Sequence, residues 1–190
     1  MKSAVVKRMR WTCDHYFRLS ELGFFDDRRV ELLNGEIIEV AAQATPHRAA
    51  ITKTSELLLP AFHGTAWVVI QGTVKLTRFS APDPDFYVVE APVGTPDEQL
   101  PRPILVIEVS DTTYRKDAGP KLRTYASAGI PDYWIFNLPR QRVELYRQPR
   151  NLTGKWSGWQ YASVSMLGRG ENVSPLHRPD LAFPVDQMLA

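Results

Sequence analysis

Cysteine is almost absent from this sequence, since its 190 residues include only one, Cys13. A single cysteine cannot form an internal disulfide. Together with four scattered histidines it does not form a structural zinc site either, because the ligands of such sites come in close pairs. Long hydrophobic runs are also missing, both at the N-terminus and along the rest of the chain. We therefore expect a cytoplasmic protein that does not contact membranes.

An excess of charge of one sign is missing as well, since the formal net charge is +2. Residues 1–10 hold four basic side chains and no acid, so the rest of the chain is slightly acidic. A composition of 44% hydrophobic and 23% charged residues is typical of a globular protein. The length suits one domain. We predict a basic N-terminal arm at residues 1–10 and a single domain at residues 11–190.

Several catalytic motifs are absent. The sequence contains no G-x-S-x-G elbow for a nucleophilic serine, no phosphate-binding P-loop and no G-x-G-x-x-G dinucleotide fingerprint. Cys13 falls in the first predicted helix, away from the loops that would form an active site. These absences argue against a serine hydrolase, a cysteine hydrolase and a nucleotide-dependent enzyme.

The first half of the chain predicts a helix, a hairpin and a second helix. Thr12 or Asp14 caps a helix that runs to Leu22. Two apolar runs, residues 29–33 and 36–40, flank Asn34-Gly35, which is the strongest short hairpin signal. A second helix begins at Pro46 and reaches about Leu59.

The second half predicts a mixed α/β fold. A helix that Asp117 caps and Gly129 ends follows a buried strand, and such a strand–helix–strand order implies a parallel crossover. We predict a mixed β-sheet flanked by helices, with the N-terminal helix and hairpin added to it. The predicted strands are residues 66–71, 73–77, 86–90, 104–109, 133–136 and 143–147, with one more strand in the last 40 residues.

Glu108 interrupts the apolar run 104–109, which predicts a strand buried on both faces. An ionised carboxylate is costly there unless it is paired or binds a metal. Glu108 is therefore either an ion-pair partner of an arginine or a metal ligand. Asp85 is either a turn residue after Pro84 or a second ligand, which would complete an oxygen site for Mg²⁺ or Mn²⁺.

Three further residues are candidates with ordinary alternatives. Lys121 lies four residues after Asp117, so it either forms a solvated helix ion pair or orients a water beside Glu108. Glu31 alternates with apolar neighbours, as solvent-facing strand residues do. His47 lies at a helix start, where a capping or surface role competes with catalysis.

Taken in order, these residues resemble the Uma-two family of restriction-type endonucleases in the PD-(D/E)XK nuclease superfamily. The resemblance covers nearly the whole chain from Trp11. It rests on His47, Asp117 and the segments Arg29-Val-Glu-Leu-Leu-Asn-Gly-Glu36, Pro84-Asp85, Leu105-Val-Ile-Glu-Val-Ser110, Lys121-Leu-Arg-Thr-Tyr-Ala126 and Gly129-Ile-Pro-Asp-Tyr-Trp-Ile135.

The resemblance implies a restriction endonuclease-like core in which Asp85 and Glu108 are the metal-binding carboxylates. Glu31 and His47 match further polar positions of the family. The superfamily pattern has a lysine two residues after the glutamate, whereas this chain has Ser110 there. Lys121 in the next helix resembles a migrated replacement for that lysine.

The function that we predict is a Mg²⁺- or Mn²⁺-dependent endonuclease that acts on DNA. Asp85 and Glu108 would bind the metal, and Lys121 would position or activate the attacking water. A homodimer is expected for cutting both strands. Two alternatives are a non-catalytic nucleic-acid-binding or assembly module, and a glycosidase that uses the two carboxylates without a metal.

Overall fold

The computed structural model describes residues 9–40, 42–91, 95–96 and 100–189, so most of the predicted basic arm lies outside the described residues. A short 3₁₀ turn, Trp156–Gly158, lies directly before the strand that begins at Trp159. The elements, in chain order, are α1 Cys13–Glu21, β1 Val30–Leu33, β2 Glu36–Glu39, α2 Thr45–Phe62, β3 Trp67–Ile70, β4 Phe86–Val89, β5 Leu105–Ser110, α3 Tyr114–Lys116, a π-helical turn Asp117–Lys121, α4 Leu122–Ser127, β6 Asp132–Asn137, β7 Arg142–Asn151, β8 Trp159–Gly168, β9 Asn172–Val173, β10 Phe183–Pro184 and α5 Val185–Met188.

Six strands form the main sheet in the order β3-β4-β5-β6-β7-β8. Strands β5 and β6 pair in parallel, and the other neighbours pair antiparallel. The parallel pair is joined by the helices between residues 114 and 127, because a parallel connection must cross over a face of the sheet. The predicted mixed sheet flanked by helices is confirmed.

Strand β5 lies inside the sheet, and all six of its residues are buried. Successive side chains of a strand point to opposite faces. Leu105, Ile107 and Val109 pack in one core cluster with side chains of α2 and α5, whereas Val106 packs in a second cluster with side chains of α4. Glu108 has the parity of Val106, so its carboxylate points toward α4 rather than toward α2.

Helices cover both faces of the sheet. Ala50, Leu58 and Phe62 of α2 are buried in the first core cluster, and Tyr125 and Ala126 of α4 are buried in the second. The burial of these apolar side chains is the main favourable contribution to folding. Among the described residues, no helix is both long and apolar enough to span a membrane.

The N-terminal helix and hairpin form as predicted. The Thr12 hydroxyl caps α1 by accepting the His15 N–H. Asn34 and Gly35 join β1 to β2 with φ angles of 50° and 83°, the left-handed conformation that a tight hairpin turn needs. The hairpin packs against α1 through a separate cluster that includes Cys13, Tyr16 and Leu32.

Two predicted elements differ in the structure. Residues 73–77 are not a strand, and only an isolated bridge from Thr77 to Ser80 forms there. The helix predicted to start at Asp117 begins three residues earlier, so Asp117 is inside the helical segment and is not a cap. Pro120 has no N–H for the regular hydrogen-bond ladder, and the π-helical turn around it accommodates this gap.

Replacing Leu58 with alanine should test the packing of α2 against the sheet. Leu58 is fully buried, so Leu58→Ala should lower the free energy of unfolding by about 2–5 kcal/mol. Leu59 is its matched control, because it is the next residue of the same helix and is 47% exposed. Urea unfolding should show a loss below about 1 kcal/mol for Leu59→Ala, and equal losses in both variants would contradict the described packing.

Candidate active site

Lys121 is the centre of a buried polar cluster between the sheet, the hairpin and the helical segment. Its Nζ lies 2.7 Å from Glu108 Oε1 and 3.1 Å from Glu31 Oε1. The third contact of the ammonium group is a 3.3 Å hydrogen bond to the main-chain oxygen of Asp83. All three N–H donors therefore have partners, and the Lys121 side chain is only 2% exposed. The predicted alternative of a solvated helix ion pair with Asp117 is wrong.

Glu31 reaches this cluster from the hairpin. Its neighbours Val30 and Leu32 pack with α1, so the alternation of the strand turns Glu31 to the opposite side. That side faces Lys121 and not solvent, since the Glu31 side chain is 2% exposed. The interpretation of Glu31 as a solvent-facing strand residue is therefore wrong. Its second oxygen, Oε2, is buried without a hydrogen-bond partner among the described residues.

Asp85 is held beside Glu108 by the pairing of β4 and β5. Phe86 pairs with Ile107, and extending this register by one pair places Asp85 opposite Glu108. Asp85 Oδ2 accepts the Val109 N–H at 2.8 Å and lies 3.0 Å from His47 Nε2. Both Asp85 and His47 are buried, so neither the turn role of Asp85 nor the surface role of His47 describes the structure.

Asp117 is a further buried carboxylate next to Lys121. Its Oδ2 accepts hydrogen bonds from the Ser110 hydroxyl at 2.6 Å and from the Thr113 hydroxyl at 2.5 Å. Ser110, two residues after Glu108, therefore helps to hold the carboxylate of Asp117 in place. Lys121, at the end of the π-helical turn, is the cation that contacts Glu108.

Burial and neighbouring charges compete in setting the pKa values of Glu108, Lys121 and Asp85. Burial, reinforced by the neighbouring carboxylates, raises the pKa of Glu108 above its ordinary value even with Lys121 beside it. Burial disfavours the charged form of Lys121, but the carboxylates of Glu108, Glu31 and Asp117 more than offset this and raise its pKa. Burial acts against ionised Asp85 as well, yet the hydrogen bonds from His47 and Val109 leave its pKa below the ordinary range.

A small cavity with a volume of about 60 Å³ opens beside the cluster. Its lining includes six acidic residues and three basic ones, so the walls have an excess of negative charge that favours a cation. The basic residues are Arg29, Lys116 and Lys121, and the acidic ones are Glu31, Asp83, Asp85, Glu108, Asp111 and Asp117.

The free oxygens of Asp85 and Glu108 fit a hard cation. The hydrogen bonds to Asp85 end on Oδ2 and those to Glu108 end on Oε1, so within the described residues Asp85 Oδ1 and Glu108 Oε2 accept none. No group of three or more His, Cys, Asp or Glu side chains in the described part of the chain forms a metal cage. Two carboxylates with waters and substrate oxygens are nevertheless the usual ligands of Mg²⁺.

The sequence did not identify Tyr125 as a site residue, and it indicated Asp117 only as a helix cap. The Tyr125 hydroxyl donates to Glu108 Oε1 at 2.5 Å, so Glu108 has a second buried partner besides Lys121. The spacing of Asp117, Lys121 and Tyr125 is four residues each time, which indicates a shared helix face. That spacing is the signal that could have found them.

The family comparison gives the class of this protein as restriction endonuclease-like. The family model of Uma2, described as "Putative restriction endonuclease", matches residues 13–186. The chain belongs to this family, and membership supports a nuclease activity.

Similar folds occur among solved structures, and one example has low sequence identity to this chain. It is the crystal structure of a "putative nuclease belonging to DUF820" from Anabaena variabilis ATCC 29413, and the TM-score is 0.68 at 13% identity. The alignment covers 93% of this chain and 96% of the other. This similarity shows the fold. No curated protein matches the chain.

Removing the ammonium group of Lys121 should destabilise the protein strongly. Lys121→Met leaves Glu108 buried without a cation and leaves Glu31 with only the more distant Lys116, which should cost about 3–5 kcal/mol of unfolding free energy at neutral pH. The cost should shrink as the pH falls, because protonated carboxyls need no cation.

Lys116→Met is the control for this measurement. Lys116 lies 3.6 Å from Glu31 Oε1 and its side chain is 20% exposed, so its loss should cost no more than about 1 kcal/mol. Denaturant unfolding at several pH values measures both variants. A Lys121→Met protein as stable as the Lys116→Met protein would show that the cluster does not depend on this ion pair.

Proposed function

We propose that the protein is a metal-dependent endonuclease that hydrolyses phosphodiester bonds of DNA. The observation that carries this proposal is the convergence of Asp85, Glu108 and Lys121 on one acidic cavity, in a chain of a nuclease family. Asp85 and Glu108 would hold Mg²⁺ or Mn²⁺ through the oxygens that accept no hydrogen bond. Such an ion supplies a bound water of lowered pKa and offsets charge on the scissile phosphate.

Lys121 has the properties of a cationic donor rather than a general base. Its surrounding carboxylates raise its pKa, so the ammonium form persists at neutral pH. The longest of its three contacts is the 3.3 Å hydrogen bond to the main-chain oxygen of Asp83. The N–H group that makes this bond is the one that can most easily donate to a water or a phosphate oxygen instead. A positioned ammonium group stabilises the charge that develops on phosphate.

The basic side chains at the cavity suit a phosphate backbone. Arg29 is exposed, and Lys116 is partly exposed beside Glu31. Both line the cavity that holds the carboxylates. A backbone phosphate can therefore contact a cation at the cavity wall while the scissile phosphate lies near Asp85 and Glu108. His47 would keep the Asp85 carboxylate ionised and oriented.

Cleavage assays on the Glu108→Gln variant test the catalytic proposal. The exchange keeps the shape of the side chain and removes the charge, so Mg²⁺-stimulated cleavage of duplex DNA should fall by about 10²-fold or more. Asp85→Asn should act likewise. Asp180→Asn is the control, since Asp180 is exposed and pairs with Arg178 away from the cavity.

Circular dichroism should show that each variant is folded. Wild-type protein with chelator should not cleave. Unaltered cleavage by a folded Glu108→Gln variant would contradict the assignment. Salt-sensitive DNA binding without any cleavage by the wild type would instead support the non-catalytic binding module.

We propose that the endonuclease is a homodimer and that its subunits contact each other along the outer edge of β8. This edge strand is ten residues long and contains no charged residue or proline. Val164 and Met166 on it are 48% and 53% exposed. Proteins usually protect free edges with charges or prolines, so an uncharged edge suits antiparallel pairing with a second copy.

Placing a charge on this edge should separate the subunits. Met166→Lys should shift the equilibrium from dimer toward monomer in sedimentation equilibrium, because charged side chains on an edge strand oppose its pairing with another strand. Leu152→Lys is the control, since Leu152 is 61% exposed and lies outside β8. A monomeric wild type, or a Met166→Lys protein that stays dimeric, would contradict the assignment.

A further inference from the structure

Tyr125 contacts the proposed metal-binding carboxylate without lining the cavity. Its hydroxyl donates to Glu108 Oε1 at 2.5 Å, and Lys121 Nζ lies 2.7 Å from the same oxygen. The Tyr125 side chain is fully buried. Two donors thus converge on one oxygen of Glu108, whereas Oε2 accepts no hydrogen bond from the described residues.

The Tyr125 ring is held in place by a cluster of buried tyrosines. Its centroid lies 4.8 Å from that of Tyr133, which also contacts Tyr146 and Tyr161. The Tyr133 hydroxyl in turn donates to the main-chain oxygen of Asp117 at 3.0 Å. The ring of Tyr125 therefore cannot turn away from Glu108 without disturbing the packing between β6 and the helical segment.

A glutamate side chain rotates about three bonds, so its carboxylate has many orientations unless partners restrict it. Lys121 alone does not fix the orientation of the Glu108 carboxylate, because its ammonium group is a compact charge on a flexible side chain and also contacts Glu31. A phenol on a packed ring donates from a fixed point.

We propose that Tyr125 is a positioning residue that turns Oε2 of Glu108 toward the cation site by holding Oε1. This inference rests on the proposed function, because it assumes that Glu108 binds a divalent cation. Groups that orient metal ligands in this way typically contribute 10–100-fold to metal affinity.

The alternative is that Tyr125 only fills space and satisfies its own hydroxyl. Tyr133 provides the comparison, because it is equally buried and belongs to the same tyrosine cluster. Its hydroxyl, however, donates to a main-chain oxygen and not to Glu108. Tyr125→Phe and Tyr133→Phe each remove one buried hydroxyl, so a purely structural role would affect the two variants alike.

Titration calorimetry with Mn²⁺ on wild type, Tyr125→Phe and Tyr133→Phe tests the inference. We expect the Kd for Mn²⁺ to rise about 10–100-fold in Tyr125→Phe and less than about 3-fold in Tyr133→Phe. In DNA cleavage, the metal concentration for half-maximal rate should rise for Tyr125→Phe, and the rate at saturating Mn²⁺ should stay near that of wild type. Should Tyr125→Phe not fold, Tyr125→Met, which also lacks the donor, replaces it.

The outcomes separate the two proposals. Wild-type affinity in Tyr125→Phe, or an equal loss in Tyr133→Phe, would overturn the positioning role and leave the proposed function standing. A wild-type protein that binds no Mn²⁺ would overturn the proposed function itself. A selective loss of affinity in Tyr125→Phe supports both.

Discussion

The arrangement of the candidate site depends on a single buried ammonium group. Lys121 lies within 3.1 Å of carboxylate oxygens from Glu31 and Glu108, and Asp117 is a further acidic neighbour. Burying so many carboxylates without a cation would be prohibitive, because each loses its hydration. The lysine therefore allows the hairpin, the central strand and the helical segment to meet at one point.

The same interaction links stability to the proposed chemistry. One ammonium group cannot neutralise all the carboxylates around it, so burial and repulsion raise the pKa of Glu108. A divalent cation between Asp85 and Glu108 would relieve that repulsion. A site of this kind is stable enough to fold but remains short of positive charge, which is the condition under which a cation binds well.

Hydrogen bonds around the cluster decide which atoms remain available. His47 and the Val109 N–H occupy one oxygen of Asp85, and Lys121 and Tyr125 occupy one oxygen of Glu108. The other oxygen of each carboxylate is left for a ligand. The orientation of these carboxylates depends on strand pairing, on the hairpin turn and on the tyrosine cluster. The site therefore depends on the same contacts that stabilise the fold.

The sequence by itself determined the elements with local signals: the Asn34-Gly35 hairpin, the buried strand around Glu108 and the crossover that makes the sheet mixed. Alternation also showed that Glu31 faces away from Val30 and Leu32, but it could not show what lies on that side. Only the tertiary structure decided this, because Lys121 comes from a distant helix whose phase depends on the π-helical turn at Pro120. Periodicity records which residues share a face, whereas burial and pairing depend on what packs against it.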